Sequence, residues 1–134
     1  MKTSLIFALL LAVPVFAQTS SSETAILEQA AIPGYPPIAR AAHITGKVVV
    51  NITVNAGKVT NTKVKSGNHF LALGTVANLN TWRFQNDVYG TFTITYTYSI
   101  SGGESLSPTN PHVEILPSLD VNITVRPVKP TVNY

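Results

Sequence analysis

Residues 46–66 read GKVVVNITVNAGKVTNTKVKS, and they predict the hairpin around which the other elements are arranged. Its first half alternates apolar and polar residues, which indicates a strand with one buried and one hydrated face. The apolar positions are Val48, Val50, Ile52 and Val54. Gly57 supplies the positive φ that a tight turn needs, and the chain returns as a second strand. Val59 and Val64 have opposite parity, so both can face the core only if a bulge separates them.

One helix is predicted on each side of this hairpin. Pro36 and Pro37 suit the first turn of a helix that covers residues 38–42, because that turn needs no backbone N–H. Asn68 is the expected N-cap of a second helix, over residues 69–81. The stripe of this helix expected to face the core contains Phe70, Leu73, Val76, Ala77 and Asn80, flanked by Leu71 and Leu79. Gly74 is expected to allow close packing against the sheet.

Residues 88–100 show the most regular alternation in the chain. The inner row comprises Phe92, Ile94, Tyr96, Tyr98 and Ile100, and the outer row comprises Thr91, Thr93, Thr95, Thr97 and Ser99. This pattern is typical of a long antiparallel strand. Two more strands are predicted at residues 112–116 and 119–126, whereas residues 25–31 fit either a short strand or a helical turn. The aromatic residues assigned to the core are Tyr35, Trp82, Phe84, Phe92, Tyr96 and Tyr98.

These elements predict an α+β fold: a small, mainly antiparallel sheet with two helices packed on one face, and a C-terminal strand pair. Residues 1–17 read as a signal peptide, with Lys2 before an apolar run and small residues at the cleavage site. An uncleaved anchor is the alternative, disfavoured because a span needs about 20 residues. Residues 18–32 form a lead segment, residues 33–101 the domain, and residues 102–134 an extension with two short strands and a tail.

Composition and motifs argue against several function classes. The chain has no cysteine, which excludes disulfides and thiolate metal sites, and its formal charge of +3 is too scattered for a nucleic-acid surface. His43, His69 and His112 lie on separate segments, so we expect no metal site. The carboxylates fall mostly at predicted turns, and nucleophile-elbow, P-loop and dinucleotide motifs do not occur. The sequence therefore predicts a protein that is not an enzyme and binds no cofactor.

Several short motifs occur together, in an order and at a spacing that are typical of one protein family. They are Tyr35-Pro36-Pro37-Ile38-Ala39-Arg40, Gly46-Lys47-Val48, Gly57-Lys58-Val59, Val64, Ser66-Gly67 and Trp82-Arg83-Phe84. Over about residues 32–101 the chain thereby resembles the C-terminal domain of TonB-type energy transducers. A full transducer has an N-terminal membrane helix and a long Pro-rich spacer. We expect neither feature here, so the resemblance is to a stand-alone, secreted member of the family.

The resemblance implies an αββαβ module, periplasmic or secreted after signal-peptide removal, that binds an envelope protein such as an outer-membrane receptor or transporter. Binding would occur by strand addition at an open sheet edge. The partner-binding residues expected on this basis are Arg83, Thr91, Thr93, Thr95, Thr97 and Ser99. Three alternatives stay open: the strand at residues 121–126 caps that edge, the module forms a homodimer, or the hydroxyl-rich face binds a small ligand or glycan.

Overall fold

The computed structural model describes residues 27–102 and 110–128. In this part of the chain the strands are β1 (Leu27–Gln29), β2 (Gly46–Asn55), β3 (Lys58–Ser66), β4 (Arg83–Phe84), β5 (Gly90–Ile100), β6 (His112–Ile115) and β7 (Val121–Val125), and the helices are α1 (Pro37–Ala41) and α2 (His69–Leu79). The predicted signal peptide, residues 1–17, lies outside the described residues. Within these ranges no helix is long and apolar enough to cross a bilayer.

The strands form one seven-stranded sheet in the order β1-β4-β3-β2-β5-β7-β6. Every described pairing is antiparallel except that between β5 and β7, which is parallel. The predicted α+β class, with a mainly antiparallel sheet and two helices, is confirmed. The segment left open between strand and helical turn forms strand β1.

The central hairpin forms as its sequence predicts. The four alternating apolar residues of β2 are buried, and Gly57 adopts a φ of 79° in the turn. A side chain at Gly57 would also collide with the carbonyl oxygen of Phe84, 2.4 Å from the position of its Cβ. The register shifts along β3, so that Val59 pairs with Val54 and Val64 pairs with Val50. The shift is the expected bulge, and it places both valines opposite core residues.

Helix α2 presents the opposite face to the core from the one predicted. Its buried residues are Leu71, Ala72, Thr75, Asn78 and Leu79. Phe70 and Leu73 are instead 41% and 59% exposed. The predicted stripe is wrong because α2 is apolar on both sides, so the hydrophobic pattern alone did not identify the inner face. Asn68 does cap the helix, with Oδ1 accepting from the Phe70 N–H at 2.9 Å.

Two buried polar residues attach α2 to strand β5. Thr75 donates to the Leu71 carbonyl at 2.9 Å, and its Oγ1 lies 2.8 Å from the Tyr98 hydroxyl. Asn78 Oδ1 accepts from Trp82 Nε1 at 3.2 Å and from the Tyr96 hydroxyl at 2.5 Å. Because these side-chain partners are satisfied, burial of the two polar residues is compatible with a stable core.

Gly74 allows a close approach, but not mainly to the sheet as predicted. A Cβ there would lie 2.9 Å from Cγ of Pro36 and 4.0 Å from the Tyr98 hydroxyl oxygen. Pro36 directly precedes α1, so the closest contact is with the start of the other helix. The absent side chain therefore serves the packing of the two helical segments against each other.

The C-terminal strands join the same sheet as the rest of the chain. Strand β7 pairs with β5, and β6 pairs with β7 at the outer edge. Val121, Ile123 and Val125 are buried and belong to the common core. The boundary at residue 102 therefore separates segments that share one sheet, and the division into a domain and an extension remains a prediction.

Candidate partner-binding edge

Strand β5 has different neighbours on its two sides. On one side β2 pairs with it along nearly its full length, from Gly90 to Tyr98. On the other side β7 pairs with it only from Tyr96 to Ile100. The remaining half of β5, Gly90 to Ile94, has no described strand on that second side. We call this segment the open half of β5, and residues 96–100 the covered half.

The backbone of Thr91 and Thr93 faces outward from this open half. The N–H groups of Thr95 and Ser101 bond to Asp120 Oδ1 and to the Val125 carbonyl, on the side away from β2. Backbone groups of alternate strand residues point in the same direction, so those of Thr91 and Thr93 also point away from β2. No described strand pairs with them there, and these backbone groups can accept an added strand.

Asp120 marks the boundary between the two halves of β5. Its Oδ1 accepts from the Thr95 N–H at 3.1 Å, and its Oδ2 accepts from the Ser118 hydroxyl at 3.3 Å. Its main-chain carbonyl accepts from Leu116 N at 2.8 Å, which closes the turn that leads into β7. The carboxylate thus satisfies the first outward N–H that β7 does not reach. Asp120 falls near the start of the strand predicted over residues 119–126, and the sequence did not indicate this contact.

The structure places the predicted site residues in four environments. Thr91 and Thr93 lie on the open half, and the backbone of Thr95 is held by Asp120. Thr97 and Ser99 lie opposite Asn122 and Thr124 of β7. Arg83 lies on β4, separated from β5 by β3 and β2, and its Nη1 donates to the carbonyl oxygens of Asn80 and Trp82.

The expectation of one free edge from Thr91 to Ser99 is therefore wrong for Thr97 and Ser99, whose strand segment is already paired. Two strands separate Arg83 from the threonines, and its role in partner binding stays a prediction. The side-chain alternation identifies which face of a strand is wet, but it contains no information on how many neighbours the strand has. Strand β7 pairs with the covered half alone, and self-capping stays an open alternative.

Tyr89 is a candidate contact residue that the sequence reasoning did not identify. It immediately precedes β5 and is 63% exposed, whereas Tyr35, Tyr96 and Tyr98 are buried. An exposed aromatic ring beside unpaired backbone groups can pack against an incoming chain. The available signal was that Tyr89 stands before Gly90, outside the regular inner row.

The outer face of the open half is polar and hydrated. Thr93 Oγ1 donates to Asn51 Oδ1 of β2 at 2.9 Å, which orders the side chains of two neighbouring strands. Among the described residues no group of three His, Asp or Glu side chains converges as a metal ion would require. The arrangement offers backbone hydrogen bonds and hydroxyl groups for binding.

The buried tyrosines of the core, two of which lie on the covered half of β5, are kept protonated by their surroundings. Burial raises the pKa of Tyr98 to about 12, opposed by the hydrogen bond with Thr75. Burial also raises the pKa of Tyr96, with a further contribution from Tyr98. Burial likewise raises the pKa of Tyr35, whose hydroxyl donates to the Ile44 carbonyl. These hydroxyl groups hold α2 and the segment before α1 in place, and they belong to the core.

Comparison with known proteins agrees with the geometry. The model of the family described as Gram-negative bacterial TonB protein C-terminal matches residues 31–101, which is more than half of the chain. The match begins before α1 and ends after β5, so β6 and β7 lie beyond it. No curated protein matches the chain. On the strength of the family match, the chain belongs to the TonB protein C-terminal family.

Proposed function

We propose that this protein is an exported interaction module of the cell envelope that binds an extended segment of a partner at the open half of β5. Domains of this family are periplasmic interaction domains without enzymatic activity. The observation that carries the proposal is the outward backbone of Thr91 and Thr93, which no described strand pairs. An outer-membrane receptor or transporter is the class of partner that the family favours.

The covered half limits how a partner can bind. An added strand would extend along about five residues before meeting β7 and Asp120. Displacing β7 would expose Val121 and Ile123, both fully buried, and would cost about 1.5–3 kcal/mol for each side chain. We therefore expect a short contact beside β7, in which Tyr89 adds apolar area. The short length predicts a weak, transient complex.

Proline substitution tests strand addition directly. Thr93→Pro removes an N–H that points away from β2, so the β2 pairing stays intact, and proline is tolerated at strand edges. Thr93→Val is the matched control, because it keeps the N–H and removes only the hydroxyl group. A photo-crosslinking residue at position 89, expressed in intact cells, would report envelope partners of each variant.

The two variants separate the binding modes. Strand addition predicts a crosslinked protein that is lost with Thr93→Pro and kept with Thr93→Val. Loss with both Thr93→Val and Thr93→Pro would assign binding to the hydroxyl-rich face, because both variants lack the hydroxyl group, and would favour the glycan or small-ligand alternative. A crosslink only to a second copy of the chain would establish a homodimer. Either of these last two results would overturn the proposal.

A further inference from the structure

Strand β3 provides a second open edge, on the other side of β2 from β5. It pairs with β2 throughout, but with β4 only at Lys58, opposite Arg83. From Val59 to Ser66 its second side has no described neighbour. This edge is longer than the open half of β5 and contains no proline. Its unpaired backbone groups can accept another extended chain.

An apolar groove of about 510 Å³ runs beside this edge, between β3 and helix α2. Val64 forms its strand side, and Ala72, Leu73, Val76 and Ala77 form its helix side. Leu73 is 59% exposed there, although the buried side of the same helix contains the polar residues Thr75 and Asn78. Helix α2 is thus apolar on the side that faces solvent, which is typical of a helix that another element covers.

The opposite face of the same strand is basic. Lys63 pairs across from Asn51, which stands between the buried residues Val50 and Ile52, so Lys63 points away from the helices. Lys65 is also exposed and lies near the end of β3, where the register with β2 shifts, so it adds a second positive charge to this edge. Neither β3 nor α2 contains an Asp or Glu residue. The positive charge at this edge is therefore not balanced by its own elements.

The groove and the lysines indicate what kind of extended segment could pair with the open edge of β3. Side chains of an added strand alternate between the two faces of the sheet. One set would enter the groove against Leu73 and Val76, and the other would lie beside Lys63, with Lys65 near the end of the strand. A second copy of β3 would bring its own lysines to the same face, where like charges on paired strands are destabilising. We infer that the β3 edge binds an extended protein segment in which apolar residues alternate with acidic residues.

This inference concerns a different strand from the proposed function, and each can fail without the other. The probe is a synthetic peptide, acetyl-Glu-Val-Glu-Leu-Glu-Val-Glu-amide, added to the purified full-length protein. Its controls are the same peptide with Lys for Glu, and a version with alternate backbone amides methylated. Amide hydrogen exchange followed by NMR reads β3 and β5 separately.

We expect the acidic peptide to slow exchange of the outward β3 amides at least tenfold and to bind at least tenfold more tightly than the Lys peptide at low salt. The methylated peptide should not bind. The double variant Lys63→Glu with Lys65→Glu should reverse the preference, whereas Lys47→Glu, at a β2 position that pairs with Thr97 of β5 and not with β3, should not. Leu73→Ser should weaken binding at least threefold, and Phe70→Ser should have no effect, because Phe70 is exposed on α2 but does not line the groove.

Four results would overturn the inference. They are unchanged exchange of the β3 amides, equal affinity for the acidic and basic peptides, protection without peptide that grows with protein concentration, and protection without peptide that disappears when residues 1–26 or 129–134 are deleted. The third would assign the edge to a second copy, and the fourth to the chain's own termini. Protection of Thr91 and Thr93 alone is a case of the first result and would place the peptide at β5.

Discussion

The two halves of β5 have the same sequence pattern and different surroundings. Both alternate threonine or serine with large apolar residues, and both pair with β2. The covered half also pairs with β7, and its Tyr96 and Tyr98 bond to polar residues of α2. The open half ends in exposed residues and leaves two threonine backbones without a described strand partner. The side-chain pattern therefore determines which face of a strand is buried. Whether the edge of the strand is open depends on where later segments of the chain pair with it.

The largest expected effect comes from the core beneath the covered half. Trp82 is fully buried, its ring centroid lies 6.3 Å from that of Tyr96, and its Nε1 bonds to Asn78. We expect Trp82→Ala to lower the free energy of unfolding by about 3–5 kcal/mol, measured by denaturant titration. Tyr89→Ala, beside the open half, should change it by no more than about 0.5 kcal/mol. Similar losses of unfolding free energy in the two variants would show that the covered and open halves do not differ in their packing.

A second prediction concerns the strand that covers β5. Ile123 is fully buried opposite Tyr98, so Ile123→Ala should cost about 2–5 kcal/mol in the same titration. Ile115, on the outermost strand β6, is 41% exposed, and Ile115→Ala should cost clearly less. A cost below about 1 kcal/mol for Ile123→Ala would mean that β7 does not cover β5 in solution, and the open edge would then extend to Ile100.

A third prediction follows from the raised pKa of Tyr98. A tyrosine whose pKa is about 12 in the folded state and about 10 when unfolded contributes its full stability below pH 10 and loses it as pH rises towards 12. The free energy of unfolding should fall by about 1.4 kcal/mol per pH unit in this window for one such group. Tyr98→Phe should reduce this slope, and the raised pKa values of Tyr96 and Tyr35 should leave a remainder. A slope unchanged in Tyr98→Phe would assign the alkaline loss to other groups.

Much of the fold could be predicted from the sequence because its causes are local. The alternation in β2 and β5, the turn at Gly57, the bulge before Val64 and the Asn68 cap are fixed by neighbouring residues, and all are found in the structure. The inner face of α2 was predicted wrongly because Thr75 and Asn78 look like surface residues until Tyr98 and Tyr96 are placed beside them.

The candidate site was less accessible to sequence reasoning than the fold. Thr91 and Thr93 could be identified as outward-facing residues of a strand, but Thr97 looks the same in sequence. The difference lies in β7, which is distant in the chain and pairs in parallel with β5, and in Asp120, which accepts a hydrogen bond from the Thr95 N–H. The open edge of β3 was missed for the same reason, since its hairpin partner can be predicted whereas the absence of a second neighbour cannot.

Amide hydrogen exchange of the free protein can establish whether β5 is half open. We expect the amides of Thr97 and Ser99, which face β7, to exchange slowly, that of Thr95 to be slowed by its bond to Asp120, and those of Thr91 and Thr93 to exchange rapidly. Protection of Thr91 and Thr93 equal to that of Thr97 and Ser99 would show that the edge is already occupied and that β5 is not half open.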